Sequence, residues 1–478
     1  MVYRSLWVAN VIYVEGELAQ LEYLAEHELV DYITPVPTLS LPSVTDLRDA
    51  TPTWGVEYVQ APEVWDLGYR GQNITVGGQD TGYDWQHPAL RGKYRGDDED
   101  HDYHWHDAIH TPIRTNVTNP CGYGTTEPCD DGAHGTHTMG TAVGSTPTEA
   151  IGVAPDADWI GCRNMDQGFG TPYTYIECFE WFVAPTRLDG SDPDPARAPD
   201  VLINSWACPE VEGCTPELNE LMEQVVSNVQ AAGIMVVVSA GNNGPSCSSV
   251  QYPPSIFEAS YAVGAHNSDG SIAGFSSRGP SLFYPTPILK PDIAAPGVAV
   301  RSSVTGGGYA SFSGTSMAGP HVSGVVALML SANPALRGKP ERIADILNAT
   351  ATPRPSSQDC GDYIGSTVPN AVYGYGYVDA LAAVQRSLDL LPIYDEATAI
   401  AVFPNPASEA LYVHVDGTGE ARVMFSLYDR VGRLVLSQSG TVVGRDRMRV
   451  ALPGLIPGLY VYRVQYGDRV LTGKVVVE

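Results

Sequence analysis

The segment Ser313-Gly-Thr-Ser316-Met-Ala-Gly-Pro-His321 runs directly into an apolar stretch carrying Val322, Val325, Val326, Leu328 and Met329. A helix of that composition is buried, so it belongs inside a layered domain with other elements packed around it. The same segment constrains chemistry. Ser316 stands at the start of the helix, where free N–H groups and a partial positive charge can meet a developing anion. Gly314 relieves crowding in the turn, and Gly319 leaves room for close backbone approach. Taken alone, Gly-Thr-Ser is most often a helix cap. Ser316 becomes a nucleophile only if the rest of the chain supplies a base and a group to orient it.

Two segments supply them. Asp80 ends a short strand-like run, Asn73-Ile-Thr-Val-Gly-Gly-Gln-Asp80, followed by Thr81-Gly82. His134 opens His134-Gly-Thr-His137 after a glycine-bearing turn, and small residues follow from Thr138 to Val143. An acid at a strand end and two helix starts carrying histidine and serine can converge in an α/β fold. His134 would then take the Ser316 proton, and Asp80 would hold its tautomer and stabilise the imidazolium. His137 reads as structural. The chain order Asp, His, Ser is the order seen in subtilisin.

At this point the chain resembles the subtilisin-like serine endopeptidases (subtilases), with the bacillopeptidase F branch suggested by the cysteine-rich middle and the insertion between Asp80 and His134. The resemblance rests on Asp80-Thr-Gly82, His134-Gly-Thr-His137 and Gly314-Thr-Ser316-Met-Ala318 with Pro320-His321. It also rests on Val237-Val-Ser-Ala-Gly-Asn242, Phe275-Ser-Ser-Arg-Gly-Pro280 and Lys290-Pro-Asp-Ile-Ala-Ala-Pro-Gly297. It covers about residues 52–388 and implies a three-layer α/β fold with a mostly parallel central sheet. It implies catalysis by Asp80, His134 and Ser316, with the Asn242 side chain and the Ser316 N–H as the oxyanion hole. Ser205-Trp206-Ala207 and Ser239-Ala240-Gly241 are implied as walls of the primary specificity pocket. The family usually carries Leu-Gly where this chain has Trp206-Ala207, so a narrowed or reshaped cleft is expected. A second departure is Gly77-Gly-Gln79 before Asp80, where the family is apolar; glycine there marks close packing. No cofactor is expected for catalysis. Partners are expected to be protein or peptide substrates, bound as an added strand.

Charge marks a domain boundary. The chain of 478 residues has a formal net charge of −28, which argues against nucleic-acid binding. From Pro392 onward nine Lys/Arg balance nine Asp/Glu, so the whole excess, like all eight cysteines, lies before that point. The tail then alternates in short strands, Leu411–Val415, Val423–Tyr428 and Gly458–Val464, with Gly/Pro/Asp turns between them, which predicts a small antiparallel β-sandwich. It resembles the C-terminal sorting domain of type IX secretion cargo through Phe403-Pro-Asn-Pro406, Leu427-Tyr-Asp429 with Gly432-Arg433, Leu455-Ile-Pro-Gly-Leu-Tyr460 and Lys474-Val-Val-Val-Glu478. That resemblance implies the type IX machinery as a partner and an extracellular or cell-surface destination. A generic adhesion or carbohydrate-binding sandwich is the alternative.

The N-terminus reads as a strand over Leu6–Val14, a helix over Leu18–Leu29 and a second strand over Val30–Val36. This resembles the second half of a subtilisin propeptide, which implies a self-inhibitor as a further partner. An extra α/β element of the protease is the alternative. The expected organisation is a partial propeptide over 1–43, a peptidase domain over 52–390 and a sandwich over 398–478. No apolar run is long enough to span a bilayer, and no signal peptide is recognisable, which points to a truncated start. An even cysteine count in a secreted chain implies disulfides. Cys121/Cys129 and Cys208/Cys214 can close small loops, while Cys162, Cys178, Cys247 and Cys360 are left unpaired by sequence.

Two rivals remain. The insertion Asp97–His110 holds His106-Asp-Ala-Ile-His110, two histidines one helical turn apart, as in zinc proteases. Aspartate stands where such enzymes need glutamate, and no third ligand is evident. A solvated acidic loop or a structural calcium site are the other readings. The second rival is an inactive surface-binding protein on the same fold, which the presence of Asp80, His134, Asn242 and Ser316 speaks against.

Overall fold

The computed structural model describes residues 53–390 apart from 97–99 and 114–117, most of 400–477, and residues 2–6, 8, 11–15, 24 and 30 near the N-terminus. The chain divides into two compact units, Met1–Val384 and Gln385–Glu478.

In the first unit seven parallel strands form the central sheet: β3 (Thr75–Asp80), β4 (Trp105–Asp107), β5 (Asp158–Arg163), β6 (Val201–Asn204), β7 (Met235–Ser239), β8 (Tyr261–His266) and β9 (Ile293–Pro296). Their spatial order is β9-β8-β7-β6-β3-β5-β4, the direction of strand succession switching beside β3. Strands β3, β6, β7, β8 and β9 are buried along their whole length, as expected of a parallel sheet covered on both faces. Helices α1 (His134–Val143) and α4 (Thr315–Ala332) cover one face, and α2 (Pro172–Val183) and α3 (Pro216–Ala231) the other. An antiparallel hairpin, β10 (Val300–Val304) and β11 (Gly308–Phe312), leads from β9 to α4. The apolar run after Ser316 is α4, buried at nearly every position and lying against β6, β7, β8 and β9.

Gly77 and Gly78 are explained by this packing. A Cβ on Gly77 would strike Leu202, Pro199 and Phe182, and one on Gly78 would strike Tyr83 and Met139. The helices are drawn in until only backbone fits between them at the centre of β3. All eight cysteines are paired, as Cys121–Cys129, Cys162–Cys178, Cys208–Cys214 and Cys247–Cys360. The second and fourth bridges join segments that sequence spacing could not match.

At the N-terminus the single strand expected over Leu6–Val14 is instead an antiparallel pair, β1 (Val2–Leu6) and β2 (Val11–Glu15). Leu6 and Val8 are buried in the core that contains α2 and α3, and Val8 N–H donates to Glu180 of α2 (3.0 Å). The apolar side chains thus find a helix surface, and the chain reverses between them. The helix over Leu18–Leu29 and the strand over Val30–Val36 fall almost wholly outside the described residues.

The second unit is a β-sandwich. One antiparallel sheet holds β12 (Ile400–Phe403), β13 (Ala410–Val415) and β16 (Arg447–Ala451). The other has the order β15 (Leu434–Val443), β14 (Glu420–Tyr428), β17 (Gly458–Tyr466) and β18 (Arg469–Val477). Leu411 and Val413, Val423, Phe425 and Leu427, and Tyr460, Tyr462 and Val464 alternate inward with period two to form its core. No helix among the described residues is long and apolar enough to cross a membrane.

Candidate active site

The candidate residues lie at the C-terminal end of β3, at the starts of α1 and α4, and just beyond β6 and β7. Asp80 is the last residue of β3 and is buried. Its Oδ1 accepts from Thr81 N–H (2.7 Å) and lies 2.7 Å from His134 Nδ1, at the first residue of α1. Thr138 Oγ1 donates to the other oxygen at 3.4 Å. Gly135 makes this approach possible, because a Cβ there would collide with the Gly82 carbonyl and with Asp80 Cβ.

The start of α1 is held by Asp130. Its carboxylate accepts from the N–H groups of Gly132 (2.9 Å), Ala133 (2.8 Å) and Thr136 (2.9 Å) and from the hydroxyls of Thr81 (2.7 Å) and Thr136 (2.5 Å). That satisfies donors a helix start leaves open. Burial alone would disfavour an imidazolium at His134. The Asp80 carboxylate, its hydrogen bond and the charge of Asp130 outweigh burial and raise the pKa above its ordinary value. His134 Nε2 has no protein partner among the described residues.

Ser316 is the second residue of α4. Its Oγ donates to the Ser205 carbonyl (3.1 Å), and Ser205 Oγ donates to the Ser316 carbonyl (2.9 Å), which ties the end of β6 to the start of α4. No hydrogen bond joins Ser316 to His134 among the described residues; such bonds commonly tighten only when substrate binds. The Ser316 N–H has no partner among the described residues. Asn242 follows β7 and the left-handed Gly241 (φ 100°). Its Oδ1 accepts from Thr315 N–H (2.9 Å) and Thr315 Oγ1 (3.0 Å). With the oxygen engaged there, the NH2 group is turned away from Thr315 and stays free to donate to an anion beside Ser316. Thr315 thus positions Asn242, a role that sequence reading missed although Thr315 lies inside the serine motif.

The remaining segments flank this arrangement. Ser239 and Ala240, at the end of β7, are buried, and Gly241 N–H donates to Thr315 Oγ1 (3.2 Å). Ala207 is partly exposed. Trp206 is only 5% exposed and stacks flat on Tyr175 of α2, with ring centroids 3.8 Å apart. Its bulk is therefore taken into the core. His137 is buried, stacks on Phe312, and lies 2.9 Å from the Val300 carbonyl. Burial pushes its pKa down to about 3, so it stays neutral. His321 is likewise buried and pushed down to about 4, with Nδ1 2.8 Å from the Met317 carbonyl.

The His106/His110 pair is not helical. His106 lies in strand β4 and His110 in the loop beyond it. Asp107, in the position a zinc protease gives to its general base, is clamped by Arg163 through two hydrogen bonds of 2.9 and 2.7 Å. It accepts those bonds in the buried interior and cannot reach a metal-bound water. The zinc-protease reading fails on both counts. Part of the insertion is less solvated than expected: His101, His104 and Asp107 are buried, and Tyr94 Oη lies 3.0 Å from His101 Nδ1, whereas the Asp102–Arg187 pair (3.0 Å) is at the surface. Asp97, Asp98 and Glu99 lie outside the described residues.

An acid paired with an imidazole, and a serine at a second helix start next to the Asn242 amide, are the groups that acyl transfer uses. The subtilase family model matches residues 71–376, and a model described as a secretion system C-terminal sorting domain matches residues 401–478. Bacillopeptidase F of Bacillus subtilis is 39% identical over 348 residues, 70% of this chain but only 22% of that protein. Subtilisin E of the same organism is 32% identical over 337 residues, 70% of this chain and 71% of that protein. The subtilisin of Bacillus pumilus is 32% identical over 337 residues and matched across 98% of its length. The sorting domain marks the protein for export to the cell surface or beyond. On the fold and these matches together, the chain belongs to the subtilase family.

Proposed function

We propose that this chain is a secreted serine endopeptidase that cleaves a broad range of unfolded protein substrates through Asp80, His134 and Ser316. Ser316 attacks the peptide carbonyl while His134 takes its proton, and His134 then protonates the leaving amine. Water repeats the sequence on the acyl-enzyme. Asn242 and the Ser316 N–H hold the oxyanion. The observation that carries this reading is the Asp80–His134 contact through Nδ1, which leaves Nε2 for the serine. Ser205–Ala207 and Ser239–Gly241 are read as the walls of the specificity pocket, with Trp206 acting from beneath. The first 43 residues are read as propeptide-like, packing on α2 through Leu6, Val8 and the bond from Val8 to Glu180, and the tail as the address for the type IX machinery.

The test is casein hydrolysis and fluorophosphonate labelling by the purified protein. The parent is expected to do both, and Ser316→Ala to do neither while keeping its circular dichroism. Undiminished hydrolysis by Ser316→Ala would refute the assignment. Loss of labelling with intact substrate binding would instead favour the inactive surface-binding reading.

A further inference from the structure

We propose that His106, His110 and Glu177 form a binding site for a divalent transition-metal ion, zinc by preference, on the face of the central sheet opposite Asp80 and His134. The Nε2 atoms of both histidines and a carboxylate oxygen of Glu177 lie within 4.8 Å of one another. Both rings point at the same oxygen, at 2.9 Å for His106 and 2.6 Å for His110. Zinc sits about 2.0–2.2 Å from nitrogen and oxygen ligands in tetrahedral geometry, so its ligand atoms stand on the order of 3.4 Å apart. The ion enters by widening two contacts by roughly 0.5–0.8 Å and replacing the protons that bridge them. Those protons pass to Nδ1 or to solvent.

The position follows from strand alternation. Asp80, Arg163 and Asp107 are level across β3, β5 and β4, and Gln79, Cys162 and His106 are level one residue earlier. Successive side chains point to opposite faces, so His106 shares the face of Cys162 and not that of Asp80. The Cys162–Cys178 bridge pins α2 to that face, and Glu177 is the next residue along. Trp181, one turn further along α2, stacks on the His106 ring at 5.7 Å and 16°. Asp107 Oδ1 accepts from Ile109 N–H (3.0 Å), and this tight turn brings His110 round to the same carboxylate. Each ligand is thus held by a separate covalent, stacking or hydrogen-bonded support, as a preorganised metal site requires.

The donor set selects the ion. Calcium takes six to eight oxygens, whereas two imidazoles and one carboxylate suit zinc, copper or nickel. The histidine side chains are 23% and 25% exposed, so water has access to the fourth position. Asp107 is held by Arg163 and does not serve that water as a base, so the ion's work is to tie the edge strand β4 to α2.

The test uses the full chain carrying Ser316→Ala, which prevents self-digestion. After stripping with EDTA and dialysis against zinc chloride, one equivalent of zinc should be retained, and the melting temperature should rise with zinc. Cobalt should give the strong visible bands of a four-coordinate ion. His106→Ala and Glu177→Gln should each weaken binding by more than about 100-fold, beyond the cost of losing a group that only supports a ligand. His110→Gln serves as a third variant if either of these fails to fold without metal. No retained zinc, the weak spectrum of six-coordinate cobalt, or undiminished binding in the variants would overturn the site.

Discussion

The two faces of the central sheet carry the same chemical pair in different arrangements. On one face Asp80 meets a single imidazole, at Nδ1 and 2.7 Å. On the other Glu177 meets two imidazoles, at their Nε2 atoms and 2.9 and 2.6 Å. Distance does not separate a proton relay from a clamp. What separates them is which nitrogen the carboxylate occupies and whether the other is left facing a substrate. Asp80 holds the ring by Nδ1, and on the proposed mechanism Nε2 is then left for Ser316. Glu177 draws both outward-reaching nitrogens to itself, so those rings can share a metal or a proton but cannot serve a nucleophile.

Asp80→Asn gives the largest break in this comparison. The amide cannot hold the required tautomer, and turnover should fall by about 10⁴ in a peptide assay. The acid limb gives the same contrast with its sign. On the proposed mechanism His134 must be neutral to accept the Ser316 proton, and its pKa is raised above 6.5 because Asp80 and Asp130 outweigh burial. Activity is therefore lost as pH falls through that raised value. In residual activity of Asp80→Asn the midpoint should move to lower pH, since the stabilising charge is gone. An unmoved midpoint would mean that Asp80 does not set the base.

The difference between the faces also explains what sequence could reveal. Asp80, His134 and Ser316 each sit in a short contiguous motif, because each must combine a strand end or helix start with neighbours small enough for close approach, such as Gly135. Those local demands leave a local pattern. The sandwich is legible for a similar reason, since period-two alternation at Leu411/Val413 and Val423/Phe425/Leu427 is a local property. Glu177 has no such mark. It lies mid-helix, 67 residues from His110, and is brought there by the Cys162–Cys178 bridge, whose pairing spacing alone leaves open. Helical period is the wrong ruler for His106 and His110, because β4 is a strand and the turn at Asp107–Ile109 supplies the convergence. The burial of Trp206 is hidden for the same reason, because its partner Tyr175 is distant in the chain.

The bridge itself can be broken. Cys162→Ala with Cys178→Ala opens a loop of 16 residues, worth about 3 kcal/mol by the chain-entropy argument. Urea unfolding should show that loss, and zinc affinity should fall with it because Glu177 is no longer held against β5. The acid limb of activity should stay in place, since the bridge lies on the other face. A shifted limb would show the two faces to be coupled. Asn242→Ala tests the proposed oxyanion donor by itself. Turnover should drop by about 10²–10³, the scale known for removing one such donor in a subtilisin, with little change in melting temperature.

A smaller effect tests how the face below Trp206 is kept apolar. Glu212 is 3% exposed and accepts a hydrogen bond from Tyr175 Oη (2.8 Å), the ring on which Trp206 lies. Burial pushes its pKa up from 4.5 to about 8, and the Tyr175 bond only partly opposes this. In the unfolded chain the carboxyl ionises near 4.5, while in the folded one it stays protonated until about pH 8. The folded state therefore binds the extra proton between those values, and stability falls as pH rises through that window. Glu212→Gln keeps the size and removes the titration. It should flatten this part of the stability profile and be more stable than the parent at pH 8 by a few kcal/mol at most, on the order of 1.4 kcal/mol for every tenfold change in proton affinity. Parallel profiles for parent and variant in urea unfolding at pH 5 and pH 8 would show that Glu212 is ionised in the fold, and that Tyr175 and Trp206 are packed against a charge.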